Sequence, residues 1–305
     1  MAHDLFSSTQ IEGVLSSLEF EKSSCPHCGS GNFIKHGRTG LGRQRYRCRE
    51  CGRTFSETTG TPFMYSKKTP AIWAGYLFCM SGGLTLRFTS KLLGMNLSTA
   101  FSWRHKILSA AGTETDNVLT ETVEVDEFWL KENFKGSRSI HPFFRDVERR
   151  FLIILLSCRD SLGNSLIKTA ARKGMRKLHK CEISDILTPV IRGCKTLVSS
   201  RNLAYAYFAR QEKLRFCMPS SASYRVEGFT LEKAAAQTRG FLKFLKGFRS
   251  VASKYLSHYV NWYRIIMNAG CSLPAQMMDK LSCSGRRLRA HEFSRVQFDG
   301  TLSAD

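Results

Sequence analysis

Four cysteines are spaced to hold a metal ion. In CPHCGSGNFIKHGRTGLGRQRYRCREC, Cys25 and Cys28 form one CxxC turn and Cys48 and Cys51 a second, with 19 residues between the two. Each turn aims two thiolates at one point, and two turns complete the tetrahedral S4 shell of a structural zinc (Zn2+) site. A redox dithiol would have no use for the second pair. His27 lies inside the first turn and is read as a bystander. The remaining seven of the eleven cysteines (Cys79, Cys158, Cys181, Cys194, Cys217, Cys271 and Cys283) are scattered singly. Their odd total argues against a disulfide framework, and they read most simply as buried small hydrophobes.

The second half of the chain holds acids suited to a different chemistry. VEVDEF places Asp126 next to Glu127 in a strand-like run. Hydrolysing or transferring a phosphodiester uses two divalent cations about 3.5–4 Å apart. Magnesium (Mg2+) takes hard oxygen ligands, so several carboxylates must converge. The plainer reading of Asp126 and Glu127 is an exposed acidic pair at a strand end. From Ile186 to Met278 the acids are Glu212, Glu227 and Glu232 alone.

The elements that must position these residues follow from periodicity and turn chemistry. Short strands at Asn32–His36 and Gln44–Arg47, with glycine-rich turns between them, frame the cysteines as a zinc ribbon over 21–60. SETTGTPFMYSKKTP reads as a linker. Helical spacing follows at Ala71–Met80 and Leu84–Leu93, then a turn at Gly94 and a helix STAFSWRHKIL capped by Ser98 or Thr99. Two short helices, a glycine turn and a third helix make a helix-turn-helix, assigned to 68–115. Its last helix would offer Ser98, Thr99, Ser102 and Arg104 to the major groove, with Lys106 and His105 near phosphates.

From Glu121 the period changes. TVEVDEFWL alternates as a strand, and RRFLIILLSC suits a central strand buried on both faces. After an SLGN turn come strand SLIKTA, a helix near Glu182–Arg192, strand CKTLVSS, helix Leu203–Glu212 and strand KLRFCM. Helices at about Leu231–Phe248 and Val251–Ile266 complete the series. The order βββαβαβα is that of an RNase H-like mixed α/β core, assigned to 120–268. The expected fold class is therefore α+β and multi-domain. Residues 1–20 hold a short helix (Ser7–Leu18) and 269–305 a basic tail.

The 305 residues carry a formal charge of +21 and a pI near 9.8. A polyanion is the expected partner, because lysine and arginine gain affinity by displacing counterions from phosphates. Arg38, Arg43, Arg45, Arg47, Arg49 and Arg53 decorate the ribbon against the single acid Glu50. A solvated basic face would look the same. A membrane surface is the competing polyanion, but no apolar run approaches the ~18–20 residues a bilayer span needs. MAHDLFSSTQIEGV is no signal peptide, so a cytoplasmic, nucleoid-associated protein is expected.

Four blocks, CPHCGS…RYRCRECGRTFSETTGTPF, TAFSWRHKIL, VEVDEFWLKENFKGSR and FRSVASKYLSHYVNWYR, occur in that order across about residues 8–266. Together they resemble insertion-sequence transposases with an N-terminal zinc ribbon and a DDE-type core, the ISXO-like group. The resemblance implies binding of double-stranded DNA at terminal inverted repeats, then strand cleavage and transfer on Mg2+. It also implies action as an oligomer holding two DNA ends. Asp126 would be the first metal ligand, and Lys135-Gly136 match the family's lysine-glycine.

The same resemblance calls for an aspartate at the end of the fourth strand, in a frame kept by Tyr205, Phe208 and Ala209. That position holds Ser200. The third family position falls near Ala235, and a following lysine at Leu242. A neutral hydroxyl is a weak magnesium ligand beside a carboxylate. Three readings follow: a transposase homologue with impaired catalysis, an active enzyme recruiting Glu227 or Glu232, or a non-enzymatic DNA-binding regulator.

Overall fold

The computed structural model describes residues 23–40, 42–111, 118–135, 151–174, 177–200, 202–219, 225–226, 229–248 and 250–269. The helix expected at Ser7–Leu18, Glu227, Gly136 and the tail beyond 269 lie outside these. The chain is mixed α/β and forms two compact units, whose described parts are residues 23–111 with 265–269, and 118–264.

In the first unit, β1 (Phe33–Arg38), β2 (Gln44–Cys48) and β3 (Thr54–Ser56) form an antiparallel sheet in the order β1-β2-β3. Phe33, Tyr46 and Phe55 project from one face and pack edge-on and stacked against one another, with centroids 5.3–5.5 Å apart. Three helices follow: α1 (Pro70–Ser81), α2 (Leu86–Leu92) and α3 (Leu97–Ala111). Proline opens α1, where its missing N–H costs nothing. Trp73 of α1 stacks flat on Trp103 of α3 at 3.3 Å between centroids, and the Tyr76 hydroxyl donates to the Ala100 carbonyl. The cap of α3 differs from expectation. Asn96 Oδ1 accepts from the Ser98 amide at 2.8 Å, so the helix starts at Leu97, ahead of Ser98 and Thr99.

The expected linker is also different: residues 57–65 form successive turns. Thr59, Thr61, Met64 and Ser66 amides donate to the carbonyls three residues earlier, and Thr58, Thr59, Thr61 and Phe63 are buried.

The second unit is built on a five-stranded sheet. β4 (Leu119–Lys131), β5 (Leu152–Asp160) and β6 (Ser165–Lys173) form an antiparallel meander. Helix α4 (Lys180–Leu187) leads into β7 (Ile191–Ser199), which lies parallel to β4. Helix α5 (Leu203–Gln211) leads into β8 (Arg215–Cys217), parallel to β7. The spatial order is β6-β5-β4-β7-β8, which leaves the longest strand, β4, in the middle. A short antiparallel pair, β9 (Arg225–Val226) with β10 (Phe229–Thr230), precedes α6 (Glu232–Lys246). A single 3-10 turn at Ser253–Tyr255 then opens α7 (Leu256–Ala269), dividing the helix expected from Val251.

The α4 boundaries shift from those expected. A capping box at His179, whose amide donates to Glu182 Oε2 at 2.8 Å, starts the helix at Lys180. Pro189, with no N–H to give, ends it early, so β7 starts at Ile191.

Each face of the sheet is buried. Val123 and Val125 of β4 pack with Ile154, Leu156, Ile183, Leu187, Tyr205 and Phe208 on the side of α4 and α5. Phe128 packs with Ile153, Leu155, Phe241, Leu256 and Val260 on the side of α6 and α7. Strand alternation therefore sends Glu124, Asp126 and Phe128 toward α6, and Val123, Val125 and Glu127 toward α5. Among the described residues, no helix is long and apolar enough to cross a membrane.

Candidate metal centre and acidic site

The four CxxC sulfurs converge. Cys25 Sγ lies 3.8 Å from Cys51 Sγ and Cys28 Sγ 3.6 Å from Cys48 Sγ, with all four within 4.8 Å of one another. A tetrahedral zinc with Zn–S bonds of ~2.3 Å would set its sulfurs ~3.8 Å apart. Each CxxC is followed by a glycine that closes the turn in the left-handed region. The Gly29 amide donates to the Cys25 carbonyl at 2.9 Å with φ +77°, and the Gly52 amide to the Cys48 carbonyl at 3.1 Å with φ +68°. CPHCG and CRECG thus build the same knuckle twice, above the Phe33–Tyr46–Phe55 cluster.

The ionisation of this quartet is uneven. The Cys51 amide beside Cys48 draws its thiol down to about 7. The Ser30 amide draws the Cys28 thiol down in the same way, but desolvation and the three neighbouring sulfurs outweigh it and push the thiol up to about 12. Four thiolates crowd together comfortably only around a cation, so the donor set fits Zn2+. Cys79, Cys158 and Cys217 are buried as expected of small hydrophobes, Cys194 is half-buried, and Cys181 is exposed.

The basic residues nominated for DNA fare differently. Arg47 is exposed on β2, and Arg45 is half-buried with Nη2 3.5 Å from Thr54 Oγ1. Arg43 sits 3.7 Å from Glu57 in an ion pair. On α3, Ser98 is exposed and Thr99, Ser102 and Lys106 are half-buried. Arg104 does not face outward as expected. It is 1% exposed, and Nη2 donates to the Leu84 carbonyl at 2.6 Å, tying α3 to the segment before α2. His105 is likewise buried, with its ring 4.5 Å from that of Phe101.

Around Asp126 the chemistry is that of hydroxyls. Asp126 Oδ2 accepts from Thr238 Oγ1 on α6 at 2.9 Å. Across the sheet Asp126 pairs with Ser157 of β5, whose hydroxyl donates to the Ala234 carbonyl of α6 at 3.1 Å. On the other side, Val125 pairs with Ser199, the last residue of β7, so Ser200 follows it beside Asp126 in the parallel register. The α6 side chain meeting Asp126 is Thr238, one turn beyond Ala235. Glu232, in the exposed first turn of α6, is six positions before Thr238. Glu212 caps the C-terminal end of α5.

Two further carboxylates flank Asp126 and are otherwise engaged. Glu124 Oε2 accepts from the Lys233 and Ala234 amides at 2.9 and 3.1 Å, satisfying the free N–H groups that open α6. Alternation from Asp126 could have singled out Glu124, two residues earlier on the same face. Glu127, although next to Asp126 in sequence, turns to the opposite side and takes a 3.0 Å hydrogen bond from Asn202 Nδ2. Burial pushes all three carboxyls up. It is opposed at Glu124 by the Ala234 and Lys233 amides, at Asp126 by Thr238 and Arg239, and at Glu127 by Asn202 and Tyr205. Among the described residues, the cysteine quartet is the one cluster of three or more His, Cys, Asp or Glu donors close enough to share an ion. Mg2+ chemistry calls for converging carboxylates, and the described surroundings of Asp126 do not fit it.

No protein-family profile matches the chain. It is 29% identical over 120 residues to an uncharacterized protein in transposable element ISH50 of Halobacterium salinarum, covering 39% of this chain and 40% of that one. It is also 31% identical over 75 residues to the insertion element iso-IS1N protein InsA of Shigella dysenteriae, covering 25% of this chain and 79% of InsA. The chain belongs to the insertion-element proteins. This insertion-element protein spans less than half of the Halobacterium relative but most of InsA.

Proposed function

We propose that this insertion-element protein binds the terminal inverted repeats of its element as a transposase homologue, and that its strand-cleavage and strand-transfer chemistry is impaired. The relatives in two mobile elements support a role in transposition. The strand order β6-β5-β4-β7-β8, with β7 parallel to β4, supports the RNase H-like reading of the second unit. The α2–Gly94–α3 arrangement supports the helix-turn-helix reading. Four sulfurs arranged for zinc support the ribbon.

The observation that carries impairment is the partner of Asp126. The α6 residue that meets it is Thr238 and the residue just after the neighbouring strand is Ser200, so hydroxyls stand where carboxylates would hold a cation pair. DNA is gripped by Arg45 and Arg47 of the ribbon, by Arg43 when its ion pair opens, and by Ser98, Thr99, Ser102 and Lys106 of α3. Zinc, held by Cys25, Cys28, Cys48 and Cys51, keeps the ribbon folded, since so small a module has little core of its own.

Retardation of duplexes carrying the element's ends, compared with unrelated duplexes, tests the reading. Specific retardation that Cys48→Ser weakens, together with loss of one equivalent of zinc, is the expected result. Unchanged metal content in Cys48→Ser would remove the ribbon. Preference for a host promoter over the repeats would replace the transposition reading with that of a regulator.

A further inference from the structure

The β1-β2-β3 sheet has one packed face and one open face. Phe33, Tyr46, Cys48 and Phe55 lie on the packed side, together with Cys25 and Cys51. Strand alternation sends Ile34, Arg45, Arg47 and Thr54 the opposite way. The register lines three of these up: Ile34 of β1 pairs with Arg47 of β2, and Arg47 with Thr54 of β3. All three are exposed, Ile34 to 42%. The sheet thus presents a single row of an aliphatic residue, a guanidinium and a threonine. At the ~4.8 Å spacing of strands the row is about 10 Å across.

The charge on this face is not balanced within the sheet. Residues 23–60 hold two acids, and both are engaged elsewhere: Glu57 pairs with Arg43 at 3.7 Å, and Glu50 Oε1 accepts from Asn32 Nδ2 at 3.2 Å. Arg45, beside Arg47 along the same face, donates from Nη2 to Thr54 Oγ1 at 3.5 Å. Among the described residues, no carboxylate meets Arg47. Two neighbouring cations with the acids held away complement a polyanion. Phosphates alone would ask only for cations and hydroxyls. An aliphatic side chain registered beside a forked cation fits a surface that sets apolar groups next to paired acceptors. The major-groove edges of base pairs are such a surface, in a groove ~12 Å wide.

We infer that the row Ile34–Arg47–Thr54 enters the major groove of the element's terminal duplex and reads base edges there. The Arg47 guanidinium donates two N–H groups to O6 and N7 of one guanine, and Ile34 packs on the methyl group of a nearby thymine. This rests on the proposed binding of the element's ends and names residues that tell those ends from other DNA, where the remaining arginines only position the duplex.

Fluorescence anisotropy with the full-length zinc-loaded protein tests the contact. The probes are a duplex of the element's end, the same duplex with single guanines replaced by 7-deazaguanine or single thymines by uracil, and an unrelated duplex. Arg47→Lys keeps the charge but loses the fork. Its affinity for the end should fall about tenfold, while its affinity for the unrelated duplex and its salt slope stay at the parent's. One 7-deazaguanine, which lacks the N7 acceptor, should weaken the parent by a similar factor and leave Arg47→Lys unchanged. Ile34→Ser, checked for zinc content and melting temperature, should lose the parent's preference for thymine over uracil at a nearby position. Equal losses on both duplexes, or no loss in Arg47→Lys, would make Arg47 a phosphate contact and overturn the inference while the proposed function stands. A parent protein with no preference for the element's end would overturn both.

Discussion

At the scale of single residues, the proposed impairment turns on Asp126. A carboxyl whose pKa is raised in the folded state keeps its proton to higher pH folded than unfolded. Its penalty is absent below the ordinary carboxylate range and grows as pH climbs through the raised value. Burial raises Asp126 in this way. Asp126→Asn, which keeps an acceptor for Thr238, should therefore melt at a higher temperature than the parent at neutral pH. The gap should close on acidification below the ordinary carboxylate range. Lower stability of Asp126→Asn at neutral pH would show that the charge is held by a cation or donor instead. Ser200→Asp adds a carboxylate beside Asp126 but leaves Thr238 on α6, so it should not restore Mg2+-dependent cleavage. Robust rescue by that one change would show a third acid completing the site.

At the scale of elements, much was legible because period and turn chemistry are local. The paired CxxC turns, the run LIILLSC of β5 and the amphipathic face of α6 follow spacings that a metal shell, strand or helix imposes. Tyr205, Phe208 and Ala209, the frame in which the resemblance places Ser200, are all buried in the core behind β4. What the sequence concealed depends on contacts between distant segments. Thr238 rather than Ala235 meets Asp126 because of how α6 is rotated on the sheet, and Arg104 turns inward because a carbonyl twenty residues earlier awaits it. The linker reading failed for a similar reason: Phe63 and Ser66 find their partner in Trp73, which local composition does not reveal.

Glu124 is the clearest such case, a β4 carboxylate fastening the start of a helix about 110 residues away. Glu124→Ala should strip the acceptor from two amides at the start of α6 and cost about 1–3 kcal/mol in denaturant unfolding. Glu124→Gln, which retains an acceptor, should recover part of it. Equal stability of Glu124→Ala and the parent would mean that α6 is held by its apolar face alone.

At the scale of the whole molecule, a chain of +21 charge suits a polyanion, while the carboxylates flanking its best-placed acid are engaged by amide donors. Electrostatic grip and metal-borne chemistry are physically separable, since one needs spread cations and the other a tight knot of carboxylates. On the proposed reading this protein keeps the first. The direct test is incubation of the purified, zinc-loaded protein with supercoiled DNA carrying both ends of its element in Mg2+ and in Mn2+. Bound but uncut DNA in either metal is the expected result. Nicked or joined product that disappears with Asp126→Ala would contradict it.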